Sequence, residues 1–74
     1  MEIKVRLFAT LRENRGKEMM LLVEDAAPVS QVIMKLGIED KDIAILLVNG
    51  LNAPQDRILS EGDIVSIFPP VGGG

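Results

Sequence analysis

Ile64-Val65-Ser66-Ile67-Phe68-Pro69-Pro70-Val71-Gly72-Gly73-Gly74 is the stretch around which the rest of the chain is organised. Residues 64–68 alternate and are rich in β-branched side chains, which predicts a strand. Pro69-Pro70 cannot donate ladder hydrogen bonds, so the backbone must leave the sheet in an extended, polyproline-like course. Val71 to Gly74 then carries almost no side chain. Taken alone, a glycine-rich end reads as an ordinary frayed terminus. The order of strand, rigid spacer, flexible tip and free carboxylate points instead to an end that is used. The chain divides on this reading into a folded body, 1–68, and an extended tail, 69–74.

Toward the amino terminus, Glu2 to Phe8 alternates with period two, so Ile3, Val5 and Leu7 face a core while Lys4, Arg6 and Phe8 face away. Thr10 to Gly16 is polar apart from Leu11 and closes on Asn14-Arg15-Gly16, a turn signal that predicts a hairpin to a second strand over Lys17–Glu24. Met19, Leu21 and Val23 form one face of that strand, and Met20 and Leu22 leave the other partly apolar, so its register is less firmly specified. Pro28 opens a short helix whose Val29, Val32, Ile33 and Leu36 make one apolar stripe. Gly37 takes the left-handed conformation that ends it, and Ile38 folds back on Ile33. So short a helix must be held by laying its stripe across a sheet. Met34 fills the edge of the core.

Glu39-Asp40-Lys41-Asp42 reads as a solvated linker, because it lacks the glycine and spaced ligand order of a calcium loop. Ile43 to Val48 is a nearly continuous apolar run, which suits a strand covered on much of both faces, and Asn49-Gly50 is a hairpin turn. Leu51 to Ala53 returns briefly, Pro54 ends it, and Ile58-Leu59 re-enters the core before Ser60-Glu61-Gly62-Asp63 turns into the last strand. The order predicts an α+β fold with a mixed sheet of four or five strands curled around one helix, a β-grasp.

The chain has 74 residues, 47% of them hydrophobic, which is one domain near the lower limit for an unstapled core. It contains no cysteine and no histidine. Disulfides, zinc knuckles and thiol nucleophiles are excluded, and the commonest general base and metal ligand are missing, which argues against a self-contained enzyme. A net charge of −3 argues against a nucleic-acid backbone binder. No signal peptide or membrane span is visible, so a cytoplasmic location is the expectation.

Phe68-Pro69-Pro70-Val71-Gly72-Gly73-Gly74, preceded by Glu61-Gly62-Asp63, resembles the carboxyl end of the MoaD group, the small subunit of molybdopterin synthase, within the MoaD/ThiS ubiquitin-like sulfur carriers. Phe8-Ala9-Thr10-Leu11-Arg12-Glu13 resembles the family's first strand and turn, and Val48-Asn49-Gly50 its central hairpin. The resemblance covers essentially the whole chain. The family commonly has Ser, Ala or Thr where Gly72 stands. The resemblance implies that the first and last strands lie parallel at the sheet centre.

By alternation Phe8 and Phe68, the only aromatics, point away from the helix-covered face. With neighbouring strands, Phe8, Ile64 and Phe68 form an apolar patch at the base of the tail, of the kind that marks a partner interface. The resemblance implies that this surface docks a MoaE-like large synthase subunit. It also implies that a MoeB-like adenylyltransferase, using ATP and Mg, converts the Gly74 carboxylate to an acyl-adenylate, and that a persulfide sulfur donor displaces AMP to leave a thiocarboxylate. Nothing is bound by the chain itself: no cofactor and no metal. Pro69, Pro70, Val71, Gly72 and Gly73 thread the tail, whose six extended residues beyond Phe68 reach about 20 Å. Glycine keeps the tail slim enough for a closed site that excludes water from the adenylate. Two other expectations share the fold and tail: a ThiS-like carrier for thiazole or another thiolated product, and a modifier conjugated to lysines through Gly74. A plain binding module needs neither the glycines nor a free end.

Overall fold

Strand formation follows the alternation. In the computed structural model, which describes residues 1–71, β1 (Glu2–Leu7), β2 (Glu18–Leu22), β3 (Ile45–Val48), β4 (Leu51–Asn52) and β5 (Ile64–Phe68) form one sheet in the order β2-β1-β5-β3-β4. β1 and β5 are parallel neighbours at the centre, with Lys4 opposite Ile64 and Leu7 opposite Ile67. β2 is antiparallel to β1, and β3 is antiparallel to both β4 and β5. This is the α+β, β-grasp arrangement, with one α-helix against one face of a mixed sheet.

The helix, α1 (Val29–Leu36), starts directly after Pro28 and ends where Gly37 adopts φ 70°, ψ 27°. The Ile38 N–H donates to the Ile33 carbonyl at 3.2 Å and the Gly37 N–H to the Met34 carbonyl at 3.1 Å, the paired bonds of a Schellman ending. Val29, Val32 and Ile33 are buried, and Met34 is exposed rather than at the core edge. Against this stripe pack Ile3, Val5 and Leu7 of β1, Leu46 and Val48 of β3, and Val65 and Ile67 of β5. Each such fully buried aliphatic side chain contributes about 1.5–3 kcal/mol relative to exposure, which is what holds a helix too short to stand alone.

Two expectations are corrected. The apolar run before Asn49 is covered on one face only: Leu46 and Val48 point inward, whereas Ile45 is 47% exposed and Leu47 half-buried. Among the described residues no second layer covers that side, so the outer face of the sheet is apolar here. Ile58 is likewise exposed, and Leu59 alone of that pair enters the core. Residues 9–12 form a 3-10 turn that buries Leu11, where the sequence shows only a polar connection. The loop Asp40–Asp42 is a second such turn; Lys41 pairs with Glu39, and Gln55 donates to Asp40. Among the described residues no helix is long and apolar enough to cross a membrane.

The Asn49-Gly50 turn has φ 52° and 84°, the left-handed pair that a two-residue hairpin requires. Asn49 does more than turn the chain. Its Nδ2 donates to Asp63 Oδ1 at 3.0 Å, and its Oδ1 accepts from the Ile64 N–H at 2.9 Å, which fastens the β3–β4 hairpin to the start of β5. The Ser60 N–H donates to Asp63 Oδ2 at 2.8 Å. The Asn49 amide first, then the Ser60 N–H and the Arg57 charge, hold the Asp63 carboxyl below its ordinary value, against a small opposing effect of burial. A depressed folded value means that the ionised form stabilises the fold above the unfolded pKa, about 3.9, and that this is lost as pH falls through the folded value. Asp63→Asn is therefore expected to lower the thermal midpoint by several degrees at neutral pH. The gap from wild type should close on acidification below that range; a gap independent of pH would contradict the assignment.

Candidate functional site

β1 delivers Phe8 to the outer side of the sheet, and the chain then breaks sharply. Ala9, the residue after Phe8, has φ 52°, which ends the strand and sends Leu11 under the sheet while Phe8 stays outside.

 The Leu11 N–H returns to the Phe8 carbonyl at 3.1 Å, and the same turn swings Arg12 back so that its Nε donates to the Leu7 carbonyl at 2.8 Å. β5 runs parallel to β1 and places Phe68 beside Phe8. The two rings stack with centroids 4.0 Å apart and planes 8° from parallel.

Near-parallel aromatic rings in contact add about 0.5–1.5 kcal/mol beyond the area they bury. Two guanidinium groups flank the pair: the Arg12 carbon lies 5.3 Å and the Arg6 carbon 5.8 Å from the centre of the Phe8 ring. Each such contact contributes about 0.5–1 kcal/mol at an exposed site. Arg6 also pairs with Glu18 at 3.3 Å, and Lys4 with the same carboxylate at 3.4 Å.

Phe8 and Phe68 are both half-buried, and neither belongs to the core. Ile64 lies at the far end of β5, about 13 Å from Phe68 along the strand, with Ser66 between them on the same face. The structure therefore brings Phe8 and Phe68 together and leaves Ile64 apart. The apolar surface spreads sideways onto β3 instead, where Ile45 stands opposite Phe68 and Leu47 opposite Ser66. Ile45 and Leu47 are the residues that the sequence reading missed, hidden in a run assigned to a doubly covered strand. Their signal was period two measured from Leu46 and Val48.

The Ala44 N–H donates to the Phe68 carbonyl at 2.8 Å, the last rung before the diproline. β5 ends at Phe68; Pro69 is still buried, Pro70 is exposed and Val71 is 91% exposed. Gly72, Gly73 and Gly74, expected to carry the reactive end, lie outside the described residues. What the described geometry provides is an aromatic, cation-flanked surface directly at the root of the tail.

The family model described as the ThiS family matches residues 5–74. The chain belongs to the ThiS family. Within this ubiquitin-like family of sulfur carriers and modifiers, it is 35% identical over the full length of both chains to small archaeal modifier protein 3 of Haloferax volcanii. Among solved structures it is similar to the protein provisionally named molybdopterin converting factor, subunit 1, of Pyrococcus furiosus. That likeness has TM-score 0.81 at 28% identity and covers 96% of this chain and 99% of that one. It also shares its fold with a chain from the complex of subunits 1 and 2 of the molybdopterin-converting factor of Helicobacter pylori. There the TM-score is 0.65 at 21% identity, with all of both chains covered. The ThiS-family match, running through residue 74, includes the Gly72-Gly73-Gly74 end.

Proposed function

We propose that this ThiS-family chain is a sulfur carrier that serves as the small subunit of a molybdopterin synthase. The observation that carries the reading is the Phe8–Phe68 stack at 4.0 Å, set immediately before Pro69-Pro70 and the glycine end. A docking surface at the root of a slim tail fixes the body on a partner while the end reaches a site about 20 Å away. A MoeB-like adenylyltransferase supplies the activation with ATP and Mg. A Gly74 carboxylate oxygen attacks the α-phosphorus of ATP and pyrophosphate leaves. The terminal sulfur of a persulfide donor then attacks the acyl carbon and AMP leaves. A thiol attacks the remaining S–S bond, which releases the thiocarboxylate and leaves a disulfide on the donor. The absence of cysteine in this chain means that sulfur carried covalently rides on the acyl end.

A MoaE-like large subunit receives the tail and brings the nucleophilic sulfur to the pterin precursor, where two such transfers build the dithiolene. The test is to mix the thiocarboxylate form with that subunit and precursor. The account predicts that the carrier returns to its carboxylate mass as the precursor gains sulfur. Sulfur retained in that mixture but delivered to a thiazole precursor by its own synthase would move the chain to the other carrier branch.

A second reading has one specific observation in its favour, the 35% full-length identity to a protein named a modifier. It needs the same adenylate, which transfers to lysine amines rather than to sulfur.

A further inference from the structure

Basic side chains are not spread evenly over this acidic protein. Residues 3–17 hold five of the eight lysines and arginines against a single acid, Glu13, in a chain of net charge −3. The pairing of β1 with β2 and β5 sorts the rest by position along the strands. Glu2, Glu24, Asp25, Glu61 and Asp63 lie where β1 begins, and Phe8, Arg12 and Lys17 lie where it ends, together with Glu18, whose carboxylate is shared by Lys4 and Arg6. The acidic turn Asp40–Asp42 also lies at the latter end, but it leads into β3, on the other side of β5 from β1.

Arg12 stands out within this basic region. Arg15 is engaged with the Leu36 and Leu11 carbonyls, and Arg6 and Lys4 share Glu18. Arg12 is exposed, anchored through Nε to the Leu7 carbonyl and held 5.3 Å from the Phe8 ring, and among the described residues it makes no ion pair. A guanidinium already fixed in this way loses little side-chain freedom when a carboxylate meets its remaining donors.

We infer that the adenylating partner receives the Phe8–Phe68 pair in an apolar pocket rimmed by carboxylates, with one of them opposite Arg12. This rests on the carrier reading. The argument is charge complementarity: a chain of net charge −3 is repelled by an acidic partner in most orientations and attracted only through its β1 end. The field therefore selects the approach that aims the tail at the partner.

The test uses the adenylating enzyme of the same cell, with ATP–pyrophosphate exchange followed as a function of carrier concentration from roughly 50 to 500 mM salt. Arg12→Glu is expected to raise KM about tenfold or more at low salt, with kcat within about twofold, and the gap should narrow as salt rises. Lys35→Glu makes the same change of net charge on α1, across the sheet from the aromatic pair, and should leave KM within about twofold. Arg12→Gln, which keeps a donor for the Leu7 carbonyl, set against Lys35→Gln, provides the comparison at matched charge if Arg12→Glu does not fold by circular dichroism. Equal KM values for the folded Arg12 and Lys35 variants overturn the acidic rim while leaving the carrier reading intact. A wild-type chain that supports no exchange at all overturns both.

Discussion

Adding one residue after Gly74, or deleting Gly74, is expected to reduce activation by the adenylating partner more than about a hundredfold, because the acyl carbon is then misplaced by more than about 1 Å from the nucleotide. The thermal midpoint should stay within roughly 3 °C of wild type. The physical ground for that separation is that the apolar core of the described residues runs from Ile3 to Ile67 and is complete before the diproline. Thermal melts and pyrophosphate exchange on the same preparations check both halves. A midpoint lowered by about ten degrees would make the end structural, since that exceeds what a surface change gives in a domain of this size.

Phe68→Ala should weaken partner binding by about 2 kcal/mol or more, close to thirtyfold in Kd, if the stacked pair is the anchor of the interface. Its effect on folding should be smaller. Phe68 is only half-buried, Val65 and Ile67 on either side of Ser66 hold β5 to the core, and the stack itself contributes about 0.5–1.5 kcal/mol. Phe8→Ala and the double variant complete a cycle by calorimetric titration and chemical denaturation. Strong non-additivity in binding would show the rings acting as one unit. Equal losses in binding and in folding would place Phe68 in the service of the fold.

Much of the architecture was legible because local chemistry and periodicity agreed. Pro28, the stripe Val29, Val32, Ile33 and Leu36, and Gly37 define a helix from both ends, and Asn49-Gly50 can hardly be anything but a tight hairpin. Ile43 to Val48 was misread because an unbroken apolar run does not say which of its faces is covered. The outward Ile45 and Leu47 are apolar in the structure for no reason internal to the fold. Ile64 was placed on the correct face but the wrong row: alternation gives the side of a sheet, whereas adjacency along the strand is a matter of distance.

Arg12 was invisible as a site residue. Its position depends on Ala9 taking φ 52°, a left-handed turn at a residue that gives no sign of it in sequence. The clasp of Asn49 on Asp63 was equally hidden, because it joins residues 14 apart that only the β3–β5 pairing brings together. Both belong to tertiary structure, which neither local spacing nor alternation encodes.

The sulfur-carrier reading is tested most directly by intact-mass spectrometry after incubation with the adenylating partner, MgATP, a persulfide donor and a lysine-bearing acceptor protein. The account predicts a single product in which one carboxylate oxygen of Gly74 is replaced by sulfur, with the acceptor unchanged. An adenylate that forms, never exchanges to sulfur and ends as an amide on the acceptor's lysines would contradict it.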